Sequence, residues 1–100
     1  MAAEEVYTLD ALFIGVNENS KTPEITVKLL DDDREVDIEI AENCRFIETK
    51  WAPGRGQQTV EITFAEFTER FVDQIIEFDF VENGEDHLIV ECRNKLVLTD

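Results

Sequence analysis

Apolar and polar residues alternate strictly through Ile25, Val27 and Leu29, and again through Val36, Ile38 and Ile40, where Glu35, Asp37 and Glu39 take the opposite face. A period of two is that of a strand with one buried face, so the spacing predicts two paired strands. Between them stand Asp31, Asp32, Asp33 and Arg34. Aspartate is poor in strands but good in turns, because its carboxylate bonds nearby backbone N–H groups and it tolerates left-handed φ. The segment is therefore predicted to be a β-hairpin with an acidic tip. Upstream, "EVYTLDALFIGV" puts Leu9, Ala11 and Phe13 on one face and Leu12, Ile14 and Val16 on the other, a strand whose later part is buried on both sides. A helix through Val6, Leu9, Phe13 and Val16 is opposed by the β-branched residues and Gly15. The polar run from Asn17 to Glu24 is a loop, and Pro23 marks where the next strand begins.

Beyond the hairpin, "NCRFIETKW" reads as extended chain, and "APGRGQQ", Ala52 to Gln58, as a flexible loop with Pro53, Gly54 and Gly56. A strand follows, and then the period changes. Phe64, Phe67 and Phe71 recur at helical spacing, and Thr63 with Glu66 spells a capping box, which predicts a short helix from Phe64 to about Phe71 whose phenylalanine stripe faces the core. Strands return with Ile76, Phe78 and Phe80 alternating with Glu77 and Asp79, and with Leu88, Val90 and Cys92 alternating with Ile89, Glu91 and Arg93. Asn83-Gly84 between them is a hairpin signal, because both residues accept positive φ. "LVLTD" ends the chain as a further strand or as a continuation past Asn94. Five or six strands and one short α-helix suit a mainly β fold: a small curved sheet or barrel, OB-like or SH3-like, in a single domain over residues 1–100.

Two segments, "ITVKLLDDDREVDIEIAENCRFIE" and "VEITFAEFTERFVDQIIEFDFVE", run through a hairpin with a short polar turn, an "ENCRFI" step, and an "ITFAEF" helical turn feeding a strand. In this they resemble small bacterial OB-like β-barrel domains of uncharacterised function. Those domains often carry Gly-Asp before the strand that follows the helical turn. Here Val72-Asp73 or Arg70-Phe71 stands in that place, and the N-terminal residues do not read as the secretion signal common among them. The resemblance implies a fold and brings no catalytic residue with it.

Charge narrows the partners. The net charge is -15 while hydrophobic residues make up 43% of the chain, so a folded core is expected together with a strongly acidic surface. Thirteen acidic and five basic residues precede and include Lys50, and eleven acidic and four basic follow it, so no basic stripe exists. Nucleic-acid affinity rests on Lys and Arg neutralising phosphates; direct nucleic-acid binding is disfavoured, and anionic membrane surfaces on the same ground. A protein partner is expected, with the chain itself a monomer or weak homo-oligomer. "MAAEEVYTLD" has acids where a secretory signal needs bases, and "ALFIGV" falls short of the ~20 apolar residues of a membrane span, which points to the cytoplasm. Cys44 and Cys92, 48 positions apart and with no C-x-x-C, are read as buried free thiols rather than a bridge.

Candidate chemistry is sparse. Asp31, Asp33, Glu35, Asp37, Glu39 and Glu42 fall on the ligand positions of a calcium loop, yet the position that must be Gly for the sharp turn is Val36, and the flanks alternate as strands. A weak divalent-cation site at Asp31 to Asp33 is one alternative, since adjacent carboxylates repel and a cation relieves the repulsion. One His, His87, and two distant Cys cannot build a structural zinc site unaided, and no nucleophile, phosphate-loop or dinucleotide motif appears. No catalytic residue, metal or cofactor is expected, and the chain is read as a non-enzyme. "KWAPGRGQQ" breaks the acidic pattern: Lys50 and Arg55 flank the sole tryptophan, Trp51, beside a Pro-Gly turn, with Arg45 close by in sequence. Trp and Arg are favoured interface anchors, and loops carry binding residues beyond their share. The competing reading folds Trp51 back over one end of the barrel and leaves Arg55 solvated. The expected function is thus a protein-interaction module touched through Lys50, Trp51 and Arg55. The alternative is an acidic nucleic-acid mimic that presents Asp31, Asp32, Asp33, Asp37 and Glu39 to the basic groove of a DNA- or RNA-binding protein.

Overall fold

A computed structural model describes residues 5–84 and 86–95. Six strands and one helix run in the order β1 (Val6–Asn17), β2 (Glu24–Leu29), β3 (Glu35–Ala52), β4 (Gly56–Ile62), α1 (Phe64–Phe71), β5 (Ile75–Asn83) and β6 (Asp86–Asn94). β1, β2 and β3 form an antiparallel meander, β3 pairs parallel with β6, β6 antiparallel with β5, and β5 antiparallel with β1. That ring closes a five-stranded barrel, and β4 is an extra strand that, among the described residues, pairs only with β3. The chain leaves β3, passes through β4 and α1, and enters β5 between β1 and β6, which is the Greek-key path of an OB-like barrel.

Closure depends on two long strands that each serve several neighbours. β1 pairs with β5 through Val6–Leu12 and with β2 through Ala11–Asn17, with a register shift between Phe13 and Gly15. β3 spends Glu35–Glu39 on β2 and Phe46–Ala52 on β4, with a shift on its β6 side between Ile40 and Arg45. Such irregularities bend a strand and raise its twist, as a small barrel requires. The inward positions form one core that includes Phe13, Ile25, Val27, Ile76, Phe78 and Ile89, all nearly inaccessible.

The helix begins where the capping box predicts: the Thr63 side chain accepts from the Glu66 N–H at 3.1 Å, and Glu66 accepts from the Thr63 N–H at 3.1 Å. The hydrogen bonds from Thr63 hold the exposed Glu66 carboxyl below the usual range. Phe67, only 1% exposed, packs at ring-centroid distances of 5.9 Å from Phe13, 5.5 Å from Phe46 and 5.0 Å from Phe71. The helix ends as Val72 turns extended and Asp73 adopts φ 67°, and the Asp73 N–H then donates to the Phe13 carbonyl at 2.7 Å. Asp at this left-handed position is the residue type, after Gly and Asn, that tolerates it.

Two readings shift by a few residues. The loop expected over Ala52 to Gln58 is a tight turn at Pro53, Gly54 and Arg55, and Gln57 and Gln58 already lie in β4 opposite Trp51 and Lys50. The Arg55 N–H donates to the Ala52 carbonyl at 3.0 Å, with Pro53 first and Gly54 second in the turn at φ 79°, the pattern of a type II turn. In the β5–β6 hairpin Asn83 pairs with Asp86, so Gly84, at φ 67°, carries the positive-φ role. The strand expected in "LVLTD" lies outside the described residues. Cys92 is buried and Cys44 half-buried, both free. Hydrogen bonding with Cys44, then burial, pushes the Cys92 thiol up, so it packs as a neutral thiol.

Candidate functional site

Both candidate surfaces are hairpins made from β3. At one end, β2 and β3 meet at the aspartate tip. The Leu29 N–H donates to the Arg34 carbonyl at 2.8 Å, the Asp33 N–H to the Leu29 carbonyl at 3.0 Å, and the Arg34 N–H to the Asp32 carboxylate at 3.1 Å. Asp33 takes φ 56°. This is the side-chain-to-backbone bonding that makes aspartate a turn residue, and strands rather than helices flank it. Among the described residues no group of three or more His, Cys, Asp or Glu side chains is placed to hold a metal ion.

Along the strands of this hairpin the outward residues are Glu24, Thr26 and Lys28 on β2 opposite Glu39, Asp37 and Glu35 on β3. The acidic positions of β3 thus recur every second residue, about 6–7 Å apart. Among the described residues Asp31, Asp33, Asp37 and Glu39 form no ion pair, and Asp32 has Arg34 at 3.5 Å. Carboxylates elsewhere are better matched. Glu48 meets Arg70 at 2.8 Å and Lys50 at 3.5 Å, Glu61 meets Arg45 at 3.0 Å, and Asp10 meets Lys95 at 2.6 Å. Arg93 lies among Glu77, Asp79 and Glu91, at 2.8 Å from Glu77 and 2.9 Å from Asp79. The hydrogen bond from Arg93 holds the Asp79 carboxyl below the usual range. Arg45, Lys50, Arg70, Arg93 and Lys95 are thus held on other faces, and on the β2–β3 hairpin the carboxylates outnumber Lys28 and Arg34.

At the other end of β3 the chain runs beyond the barrel. The last described β6 contact is near Thr49, whose N–H donates to the Asn94 side chain at 2.6 Å and whose carbonyl accepts from it at 3.0 Å. Past this clamp, among the described residues, Lys50, Trp51 and Ala52 pair only with β4. The result is a two-stranded arm. Trp51 is 57% exposed and lies across from Gln57, so it does not fold back over the barrel as the competing reading had it. Gly56 sits close under the indole, where an added Cβ would stand 4.0 Å from Trp51 Cζ3. On the other face of the arm Val60, 49% exposed, neighbours Lys50 and Glu48. Lys50 and Arg55 are both exposed, and Arg55 forms no ion pair among the described residues.

Comparison with known proteins finds no matching family model, curated protein or solved structure.

The likeness to OB-like domains therefore rests on topology. The structure brings Lys50, Trp51 and Arg55 together on the arm, and it gathers Asp31, Asp32, Asp33, Asp37 and Glu39 on one hairpin at the opposite end of the same strand. Sequence reasoning missed that the outer edge of β4 is unpaired among the described residues and that Val60 is exposed beside Lys50. The alternation of Gln58, Val60 and Ile62 was the available signal. It also missed a cleft beside the acidic hairpin, because its lining comes from five strands distant in sequence. No helix among the described residues is long and apolar enough to cross a membrane.

Proposed function

We propose that this protein is a non-enzymatic, cytoplasmic protein-interaction module that engages its partner through the β3–β4 arm. The observation that carries the reading is the exposure of the sole tryptophan on a paired, turn-closed arm. A large indole left in water gains most from burial against another surface, and Trp flanked by Arg is the composition of interface hot spots. Among the described residues the outer edge of β4 pairs with no strand, and its backbone N–H and C=O groups are of the kind a partner strand can pair. The module acts as a monomer or weak homo-oligomer, because the charge of -15 makes two copies repel.

A second reading has its own observation, the collection of unmatched carboxylates on the β2–β3 hairpin. It makes the chain an acidic mimic of nucleic acid for a basic groove. The test uses a partner captured with the full chain. On the first reading Trp51→Ala costs about 2 kcal/mol of binding, roughly thirtyfold, with a shallow salt response. Neutralising Asp31, Asp32, Asp33, Asp37 and Glu39 then leaves affinity nearly unchanged. The reverse pattern, with binding lost on neutralisation and falling steeply with salt, assigns the function to the mimic.

A further inference from the structure

Beside the acidic hairpin lies a cleft of about 400 Å³, within the size range of ligand pockets. Leu9, Leu29, Val36, Ile38 and Phe80 line it, from β1, β2, β3 and β5, and no residue of α1 takes part. All five are half-buried, and Leu9, Val36, Ile38 and Phe80 also pack on the core, so the apolar floor is continuous with the barrel interior. Phe80 is further fixed by ring contacts at 5.6 Å to Tyr7, 5.9 Å to Phe78 and 5.5 Å to His87. Where α1 packs over Phe13 and Phe46, these five stay partly open to solvent.

The charge around this floor selects the occupant. Glu24, Asp37, Glu39 and Asp86 line the cleft beside Arg34 and His87. None of the four carboxylates ion-pairs with a described residue, whereas Arg34 has Asp32 at 3.5 Å. Glu24 accepts from Asn17 at 2.8 Å and Asp37 from Thr26, neutral donors that leave the negative charge in place. An acidic ligand entering here meets like charge on several sides. A cationic one is drawn in by the cleft and by the whole chain. The carboxylates stand on three strands, β2, β3 and β6, around the apolar floor, where long flexible lysine side chains on both sides of an anchor can reach them.

We propose that this cleft receives an apolar anchor side chain carried on a lysine- or arginine-rich segment of a protein partner. The cleft shares no residue with the arm, so it is tested apart from the arm's role; it shares Asp37 and Glu39, but not Asp31 to Asp33, with the acidic surface of the second reading, and an anchor-dependent peptide separates the two.

The test is an amide NMR titration of the full chain with three synthetic pentapeptides: tryptophan between two pairs of lysines, glycine in place of that tryptophan, and glutamates in place of the lysines. The first peptide is expected to bind in the sub-millimolar range and to shift Leu29, Val36, Ile38 and Phe80. The glycine peptide binds at least about tenfold more weakly and the glutamate peptide does not bind. Asp37→Asn with Glu39→Gln weakens the first peptide about tenfold and flattens its salt dependence. The charge-matched pair Glu69→Gln with Asp73→Asn, exposed and on or just after α1, which contributes no residue to the cleft, changes it less than about twofold. Equal binding of the glycine peptide reduces the surface to a charge patch and overturns the proposal. Shifts confined to other residues, or no binding of the first peptide at millimolar concentration, overturn it as well.

Discussion

The two hairpins of β3 are built from one continuous strand, yet they differ in what stands beside them. In the β2–β3 hairpin β2 has β1 as a further neighbour along its whole length and β3 meets β6 from Glu39 onward, and Ile25 and Val27 point into the core. In the β3–β4 hairpin β4 has, among the described residues, a neighbour on one side only, and Trp51 and Val60 are more exposed than Ile25 and Val27. A hairpin without a third strand or a covering layer is marginally stable by itself. The arm is held by its root, where Phe46 packs under Phe64 and Phe67 and Asn94 clamps Thr49. Charge divides in the same way: Lys50, Arg45 and Arg70 pair with carboxylates around the arm, while on the β2–β3 hairpin only Asp32 has an ion-pair partner among the described residues, Arg34. Strand pattern alone therefore does not decide whether a hairpin's side chains are buried or exposed; the neighbours of its strands do.

Breaking the root should have the largest effect. Phe67→Ala removes the ring that joins Phe46 to Phe13 and is expected to cost about 3–5 kcal/mol in urea unfolding, whereas a loss under about 1 kcal/mol would place the helix stripe in solvent. Next comes the scaffold hairpin: Ile25→Ala, at a fully buried position, is expected to cost about 2–5 kcal/mol.

Arg93→Gln follows, at about 1–3 kcal/mol near pH 7, because it leaves Glu77, Asp79 and Glu91 crowded without their cation. The sign with pH follows from Asp79, whose folded pKa is depressed chiefly by the hydrogen bond from Arg93. The stability it contributes is present above the unfolded value of about 3.9 and is lost as pH falls through the lower folded one. The gap between wild type and variant should therefore be full at neutral pH and shrink below about pH 4. Melts that keep the same gap at about pH 3 would contradict the pairing.

The smallest effects belong to the arm's surface. Val60→Ala and Trp51→Ala should each change folding stability by no more than about 0.5 kcal/mol, since little is buried at either site. As the sole tryptophan, Trp51 should also be readily quenched by acrylamide in the free chain; the protection of a buried indole would mean that it folds back after all.

The parts legible in the sequence are those whose signal is local. Thr63 and Glu66 three residues apart fix where α1 starts, and Asp31 to Asp33 between two alternating runs fix the hairpin tip. The arm was less legible. Pro53, Gly54 and Gly56 read as loop, and Gln57 and Gln58 offer no apolar signal, yet glycine at φ 79° at both positions lets the turn close within Pro53 to Arg55. The parallel pairing of β3 with β6 joins residues nearly fifty positions apart, such as Phe46 and Cys92, and leaves no local mark in either strand. Lys50, Trp51 and Arg55 could be chosen because they break an acidic composition. That Lys50 leans on Glu48 while Trp51 stays exposed is decided by tertiary placement.

The most direct test of the arm as contact surface is site-specific photocrosslinking in the source cell, with a photoreactive residue at Gln58 on the arm or at Glu69 on the helix. The account predicts a discrete crosslinked protein adduct from position 58 that disappears when Trp51→Ala is added, and none from position 69. An adduct that survives Trp51→Ala, or one formed equally from position 69, would contradict it.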